Sequence, residues 1–132
     1  MIAIDTNVLV RFVVADHPEQ FERAMVLIRD NTIFVGLTVF LEAEWVLRSV
    51  YGATREEIAT AFLGVAGLPN VTVESPAVLI EAVAAYRKGM DFADALHVAA
   101  AAESNVAEFA TFDEDLGKRS RSALRHVRVL NI

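Results

Sequence analysis

Four acidic residues sit at positions where an α/β protein does its chemistry. Asp5 follows the short apolar run Ile2-Ala3-Ile4 and begins Asp5-Thr6-Asn7, after which apolar residues resume. A buried strand turning into a helix reads this way, and open α/β sheets bind ligands just beyond the carboxyl ends of their strands. Asp113 repeats the design, closing the run Phe109-Ala110-Thr111-Phe112 at the turn into a polar segment. Glu42 and Asp94 lie early in helical patterns that follow strand-like or turn segments. Carboxylates crowded together raise one another's pKa unless a cation lies among them. An all-oxygen set in a chain without cysteine suits Mg²⁺ or Mn²⁺, ions that polarise a phosphodiester and activate water for in-line attack.

Each acid also has an ordinary structural use. Asp5 is a good helix N-cap, and Thr6 and Asn7 beside it can support a ligated water or cap backbone N–H groups equally well. At about 100° per residue, Val39, Phe40, Ala43, Val46, Leu47 and Val50 form one apolar stripe. Glu42 lies about 80° from its centre and Glu44 about 120°. Glu42 is therefore the boundary residue, while Glu44 is expected on the solvated face as the i+4 partner of Arg48. Asp91 is expected to cap the helix that Asp94 enters, with Asp94 the ligand and Asp91 a helper; His97, one turn on, more simply satisfies a hydrogen bond. Asp115 and Glu114 fall in a first helical turn, where the helix dipole alone accounts for them. Thr111, two residues before Asp113 on the same side of the strand, can orient a water or a phosphate. The choices of Asp94 over Asp91 and of Asp113 over Asp115 stay open on sequence alone.

The elements that must position these residues alternate along the chain. After the first strand, Val8–Val14 reads as helix, broken at Asp16-His17-Pro18. Pro18 opens a second helix that ends at Asn31. Thr32–Leu37 is a strand, and Thr38 caps a helix to about Tyr51, stopped by Gly52. Thr54 and Glu57 form a capping box for a helix running to the Gly67–Asn70 break. Val71–Glu74 is a third strand; Ser75-Pro76 opens a helix through about Lys88; Asp91 opens the most apolar helix, ending near Ser104-Asn105. Glu108–Phe112 and Val127–Leu130 complete five strands, with a short polar helix from Asp113 between them. Strands alternating with helices predict an α/β fold, a parallel sheet with helices on both faces, and with no repeat or linker a single domain over residues 1–132.

Composition narrows the class. A hydrophobic fraction of 55% over 132 residues provides for a real core, and the lack of cysteine excludes disulfide scaffolds and thiolate chemistry. No apolar run approaches the roughly 20 residues of a membrane helix, and the N-terminus lacks signal-peptide features, so a cytoplasmic protein is expected. The net charge of −6 at first opposes a nucleic-acid partner. Setting four acids aside leaves 12 basic against 14 acidic residues, a balance of −2. Five basic residues, Lys118, Arg119, Arg121, Arg125 and Arg128, also cluster near the C-terminus together with His126. They are candidate RNA contacts or an ordinary solvated face. Phe40, Leu41, Trp45 and Tyr51 are candidates for either core or dimer contacts.

Asp5-Thr6-Asn7 after Ile-Ala-Ile, Leu41-Glu42-Ala43-Glu44-Trp45-Val46-Leu47-Arg48, Asp91-Phe92-Ala93-Asp94-Ala95-Leu96 and Thr111-Phe112-Asp113 resemble, in order and nearly across the chain, the signatures of PIN-domain nucleases. More narrowly they resemble the VapC-type toxins of type II toxin–antitoxin modules. The resemblance implies a five-stranded parallel sheet in the order 3-2-1-4-5. It implies a metal-dependent endoribonuclease with Asp5, Glu42, Asp94 and Asp113 around Mg²⁺ or Mn²⁺, and products ending in 5′-phosphate and 3′-hydroxyl. Thr6, Asn7 and Thr111 would support the site. A homodimer and a cognate VapB-like antitoxin, whose C-terminal segment covers the acidic groove, are implied too.

Two other classes share parts of this pattern. A receiver-like signalling module also gathers acids and Mg²⁺ at strand ends, but it wants a lysine after its last strand, where Asn131-Ile132 stands, and a phosphoacceptor after its third, where Glu74-Ser75-Pro76 offers none. A phosphohydrolase beginning Asp-x-Asp fails at Asn7. A catalytically idle PIN-fold binding protein would have no need of the intact acidic set.

Overall fold

The computed structural model describes residues 1–124 and 127–132, with the helical backbone alone at 121–123. The chain divides into two compact units, Met1–Pro76 and Ala77–Ile132.

In the first unit the order is β1 (Ile2–Ala3), α1 (Thr6–Val14), α2 (Pro18–Asp30), β2 (Ile33–Val35), α3 (Leu37–Ser49), α4 (Arg55–Ala66) and β3 (Val71–Val73). The strands are parallel in the order β1-β2-β3, with Ile2 opposite Ile33 and Ile33 opposite Val71. Parallel neighbours need crossover connections, and the helices supply them. Several boundaries follow from local chemistry. Pro18 takes the first helical position of α2 behind His17, whose Nδ1 accepts from the Gln20 N–H at 3.2 Å. The expected capping box forms in full: Thr54 Oγ1 accepts from the Glu57 N–H at 3.1 Å, and Glu57 Oε1 from the Thr54 N–H at 3.0 Å. Those bonds, the backbone one foremost, hold the Glu57 carboxyl below its ordinary range. The Asn70 side chain donates to the carbonyls of Ile28 and Asn31, tying the approach to β3 to the end of α2. Phe40 and Phe62 meet edge to face at 5.0 Å in the core of this unit, with Leu9, Ile33, Val35 and Ile58 also buried.

The second unit contains α5 (Pro76–Arg87, its first residue belonging to the first unit), α6 (Phe92–Glu103), β4 (Glu108–Thr111), α7 (Leu116–Ala123) and β5 (Arg128–Asn131). β4 and β5 pair in parallel from Glu108–Arg128 to Thr111–Asn131. Tyr86 and Phe92 meet edge to face at 5.3 Å, and Leu79, Val83, Met90 and Val98 are buried with them.

The α/β class and the helix–strand alternation are as expected; the sheet is not. The strands pair as three and two rather than as one continuous sheet in the order 3-2-1-4-5. They are only two to four residues long, and both residues of β1 find their register partners on β2. Among the described residues β1 pairs only with β2, and Ile2 is 39% exposed, whereas the apolar run predicts burial. The cap of α3 also differs. The helix begins at Leu37, with Gly36 in the cap position and no side-chain bond from Thr38. Glu74, just past β3, reaches the free N–H of Leu37 at 3.0 Å instead.

Candidate active site

Asp5 is the N-cap of α1. Its backbone is extended (φ −93°, ψ 178°), and Oδ1 accepts from the Val8 N–H at 3.0 Å. The structural use foreseen for Asp5 is therefore real, yet it occupies one oxygen of an exposed carboxylate. Thr6 is buried beside it, and Asn7 is exposed. Asp5 and Asn7 line a cleft of about 460 Å³ shared by α1 and α2. Glu42, the sixth residue of α3, is exposed. α1 and α3 pack against each other, so Asp5 and Glu42 are carried by neighbouring helices of one unit.

Glu44 corrects the helical-wheel expectation. It does pair with Arg48, at 2.9 Å, but its exposure is 4%: the buried stripe of α3 is Phe40, Ala43, Glu44 and Leu47. Val50 is 66% exposed at the C-cap, so the stripe rotates toward Glu44. A buried carboxylate is tolerable here because the Arg48 guanidinium donates to both of its oxygens, at 2.9 and 3.4 Å.

In the second unit Asp91 caps α6 as expected, Oδ2 accepting from the Asp94 N–H at 3.2 Å. Asp94 is half-buried in the first turn. Burial pushes its carboxyl above the ordinary aspartate range; the negative charges of Asp91 and Asp113 push it further, against weaker opposing effects of His97 and Arg119. Asp94 thus shares a field with both neighbouring acids. Asp113 is held on three sides. Thr111 Oγ1 accepts from its N–H at 3.0 Å, its own Oδ1 accepts from the Asp115 N–H at 2.9 Å, and Asn131 Nδ2 donates to its carbonyl at 3.0 Å. The turn delays the helix: α7 starts at Leu116, not at Asp113, with Asp115 in the cap position but making no side-chain cap bond. Thr111 therefore positions the Asp113 backbone through its hydroxyl oxygen.

Sequence reasoning missed Asn131, whose amide is placed opposite Thr111 by the pairing of β4 with β5, and Glu74. Neither has a local signal, because each acts on a residue distant in sequence. Of the basic cluster, Lys118, Arg119 and Arg128 are exposed; the Arg121 side chain, Arg125 and His126 lie outside the described residues. Phe40 is core; Tyr51 is half-buried with its hydroxyl accepting from Arg11 at 3.0 Å; Leu41 is half-buried; Trp45 is 56% exposed.

The PIN-domain family model matches residues 2–121. The chain belongs to the PIN-domain family. No curated protein matches it. PIN domains are generally metal-dependent nucleases acting on RNA, which displaces the receiver-like reading. The donor chemistry of this PIN domain fits a hard divalent cation: carboxylate oxygens without thiolates, with one of them, Asp94, raised by burial and then by like charge. Among the described residues no three His, Asp or Glu side chains are grouped so as to hold an ion. Mg²⁺ does not require such a cage, since it keeps several waters and is commonly bound by one or two carboxylates plus substrate phosphates. No helix among the described residues is long and apolar enough to cross a membrane.

Proposed function

We propose that this PIN domain is an Mg²⁺- or Mn²⁺-dependent endoribonuclease, with Asp5, Glu42, Asp94 and Asp113 as its carboxylate set. The observation that carries the reading is the PIN-domain match over residues 2–121, which spans all four acids; beside it stands the Asp94 carboxyl, raised by burial and then by the charges of Asp91 and Asp113. Such an arrangement is unfavourable by itself and becomes favourable beside a cation. When bound, the metal polarises the scissile phosphodiester and lowers the pKa of the attacking water. The chain's own residues do the rest. Asp94 and Asp113 supply negative oxygens, Thr111 and Asn131 fix the turn that presents Asp113, and Asp5 and Asn7 stand at the mouth of a cleft in the first unit. Asp91 supports Asp94, and Asp115 supports Asp113, through the backbone bonds described above. Lys118 and Arg119, with Arg121 and Arg125, serve as phosphate contacts for RNA.

The finer assignment is the toxin of a VapC-type toxin–antitoxin pair, acting as a cytoplasmic homodimer restrained by a VapB-like antitoxin. The ordered motifs from Asp5 to Asp113 support it, as does a carboxylate set to which an antitoxin arginine can pair. The test is incubation of purified protein with structured RNA in Mg²⁺, Mn²⁺ or EDTA. Cleavage only with metal, products bearing 5′-phosphate and 3′-hydroxyl ends, and loss of cutting in Asp94→Asn are expected. RNA binding without cleavage under every metal condition would identify an idle binding protein instead. Expression of the parent without a partner is expected to arrest growth, and Asp94→Asn to relieve the arrest.

A further inference from the structure

The cleft beside Asp5 has a composition that the carboxylate set does not explain. Its floor is aliphatic, built from Val8 of α1 and Ala24 and Leu27 of α2, and its rim carries Arg11, Gln20 and Arg23. Its volume of about 460 Å³ lies within the range of small-molecule sites, which are mostly apolar with a few placed polar groups.

The rim residues differ in what they can offer. Arg11 is committed within the protein, donating to Gln20 Oε1 at 2.7 Å, Asp16 Oδ1 at 3.2 Å and the Tyr51 hydroxyl at 3.0 Å. That first bond fixes the Gln20 amide with its oxygen toward Arg11, leaving the amide N–H₂ as a donor. Arg23 is exposed and makes no hydrogen bond or ion pair among the described residues. The cleft thus combines a free guanidinium, an oriented amide donor and an aliphatic floor next to an acid of the proposed site. A guanidinium matches phosphate oxygens in a two-pronged geometry, and a pocket with apolar walls takes a base once it is out of the stack.

We infer that the α1–α2 cleft is a subsite for one unpaired nucleotide of the RNA, with Arg23 on its phosphate and the base over Val8 and Leu27. The placement of this nucleotide next to the scissile bond rests on the nuclease reading above; its binding does not. Without an aromatic side chain among the lining residues, base selection is weak and falls to the Gln20 donor and Asn7. A peptide occupant is less well matched, because the uncommitted charge of α2 at the rim is cationic and sized for a phosphate.

The experiment separates the two readings by measuring binding in EDTA, where cleavage plays no part. A fluorescein-labelled single-stranded hexaribonucleotide is titrated with the parent, Arg23→Ala, Arg23→Glu, Leu27→Trp and Arg29→Ala. Arg29, on the same helix but outside the cleft and paired with Asp30 at 2.6 Å, controls for net charge. Arg23→Ala is expected to weaken binding about tenfold, the equivalent of about 1.4 kcal/mol, and to flatten the log–log salt dependence by about 0.7. Arg23→Glu should weaken it further, Leu27→Trp should block the recess, and Arg29→Ala should change little. Uridine and adenosine 5′-monophosphates should shift the backbone amide resonances of Val8, Ala24 and Leu27. Equal effects of Arg23→Ala and Arg29→Ala, or no amide shifts with mononucleotides, would overturn the subsite. So would a basic apolar peptide shifting those amides where mononucleotides do not. A subsite that binds as expected in a protein that never cleaves RNA would overturn the nuclease reading alone.

Discussion

Replacing Asp5 separates its cap from its proposed metal role, because the two depend on different properties of the side chain. The cap needs an acceptor oxygen 3.0 Å from the Val8 N–H; the metal role needs a negative charge. Asp5→Asn keeps the first and removes the second, since Asn caps helices as well as Asp. Asp5→Ala removes both. Losing a side-chain N-cap costs about 1 kcal/mol, within a range of about 0.5–2, and in a domain of this size that lowers Tm by about 3–4 °C. Asp5→Asn is accordingly expected to melt within about 1 °C of the parent in EDTA, and Asp5→Ala several degrees lower. Both are expected to lose RNA cleavage by more than about a hundredfold, beyond the 10–100-fold typical when a group behind a metal ligand is removed. The assays are a thermal melt in EDTA and cleavage of one RNA in Mg²⁺ at fixed temperature. If Asp5→Asn cut RNA as fast as the parent, Asp5 would be a cap and nothing more. If Asp5→Ala melted with the parent, the bond to Val8 would contribute no stability.

The other predictions concern the second unit and the α3 cap. The folded protein raises the Asp94 pKa, so ionising Asp94 costs stability that is present at low pH and lost as pH rises through the folded-state pKa. Metal-free Asp94→Asn is therefore expected to melt above the parent at pH 7, with the difference vanishing below the ordinary aspartate range, and to gain less than the parent from added Mn²⁺; a lower melt at pH 7 would mean that attraction to the α6 dipole outweighs burial and repulsion. Thr111→Val removes the acceptor for the Asp113 N–H, and a several-fold loss of cleavage is expected that Thr111→Ser restores; equal loss in both would exclude the hydroxyl. Asn131→Ala is expected to lower cleavage about tenfold for a stability cost of about 1 kcal/mol, with a weaker Mn²⁺-induced melting shift than the parent. Glu74→Ala leaves the Leu37 N–H without its acceptor and is expected to cost about 1 kcal/mol, whereas Glu74→Gln, which keeps an oxygen there, should cost less than half of that in a thermal melt.

What the sequence disclosed and what it hid divide along the range of the interaction responsible. Interactions closed within one helical turn were largely legible: Asp5 over Val8, Thr54 with Glu57 and Asp91 over Asp94, though the His17 cap behind Pro18 was not foreseen. In each of the first three, the spacing of residue types specifies the bond. The placement of Asp5, Glu42, Asp94 and Asp113 on their elements was legible for a related reason, since each sits just past a strand or in the first two turns of a helix that the apolar pattern marks. Interactions joining distant segments left no such mark. Gly36 offers no side chain to cap α3, and nothing near it reveals that Glu74 supplies the missing acceptor. Asn131 stands eighteen residues from the carbonyl it holds, and only the β4–β5 register brings them together. The wheel of α3 failed for a third reason. It ranks positions by apolar content, so it sends every glutamate outward, whereas Arg48 one turn on lets Glu44 stay inside. The short strands set the limit at the largest scale. Alternation of helix and strand dictates parallel pairing, but the number of strands that share one ladder depends on how many rungs each can offer, and β1 offers two. Its second edge is therefore the place where the sequence pattern constrains the fold least, and it lies two residues before Asp5, the first carboxylate of the proposed set.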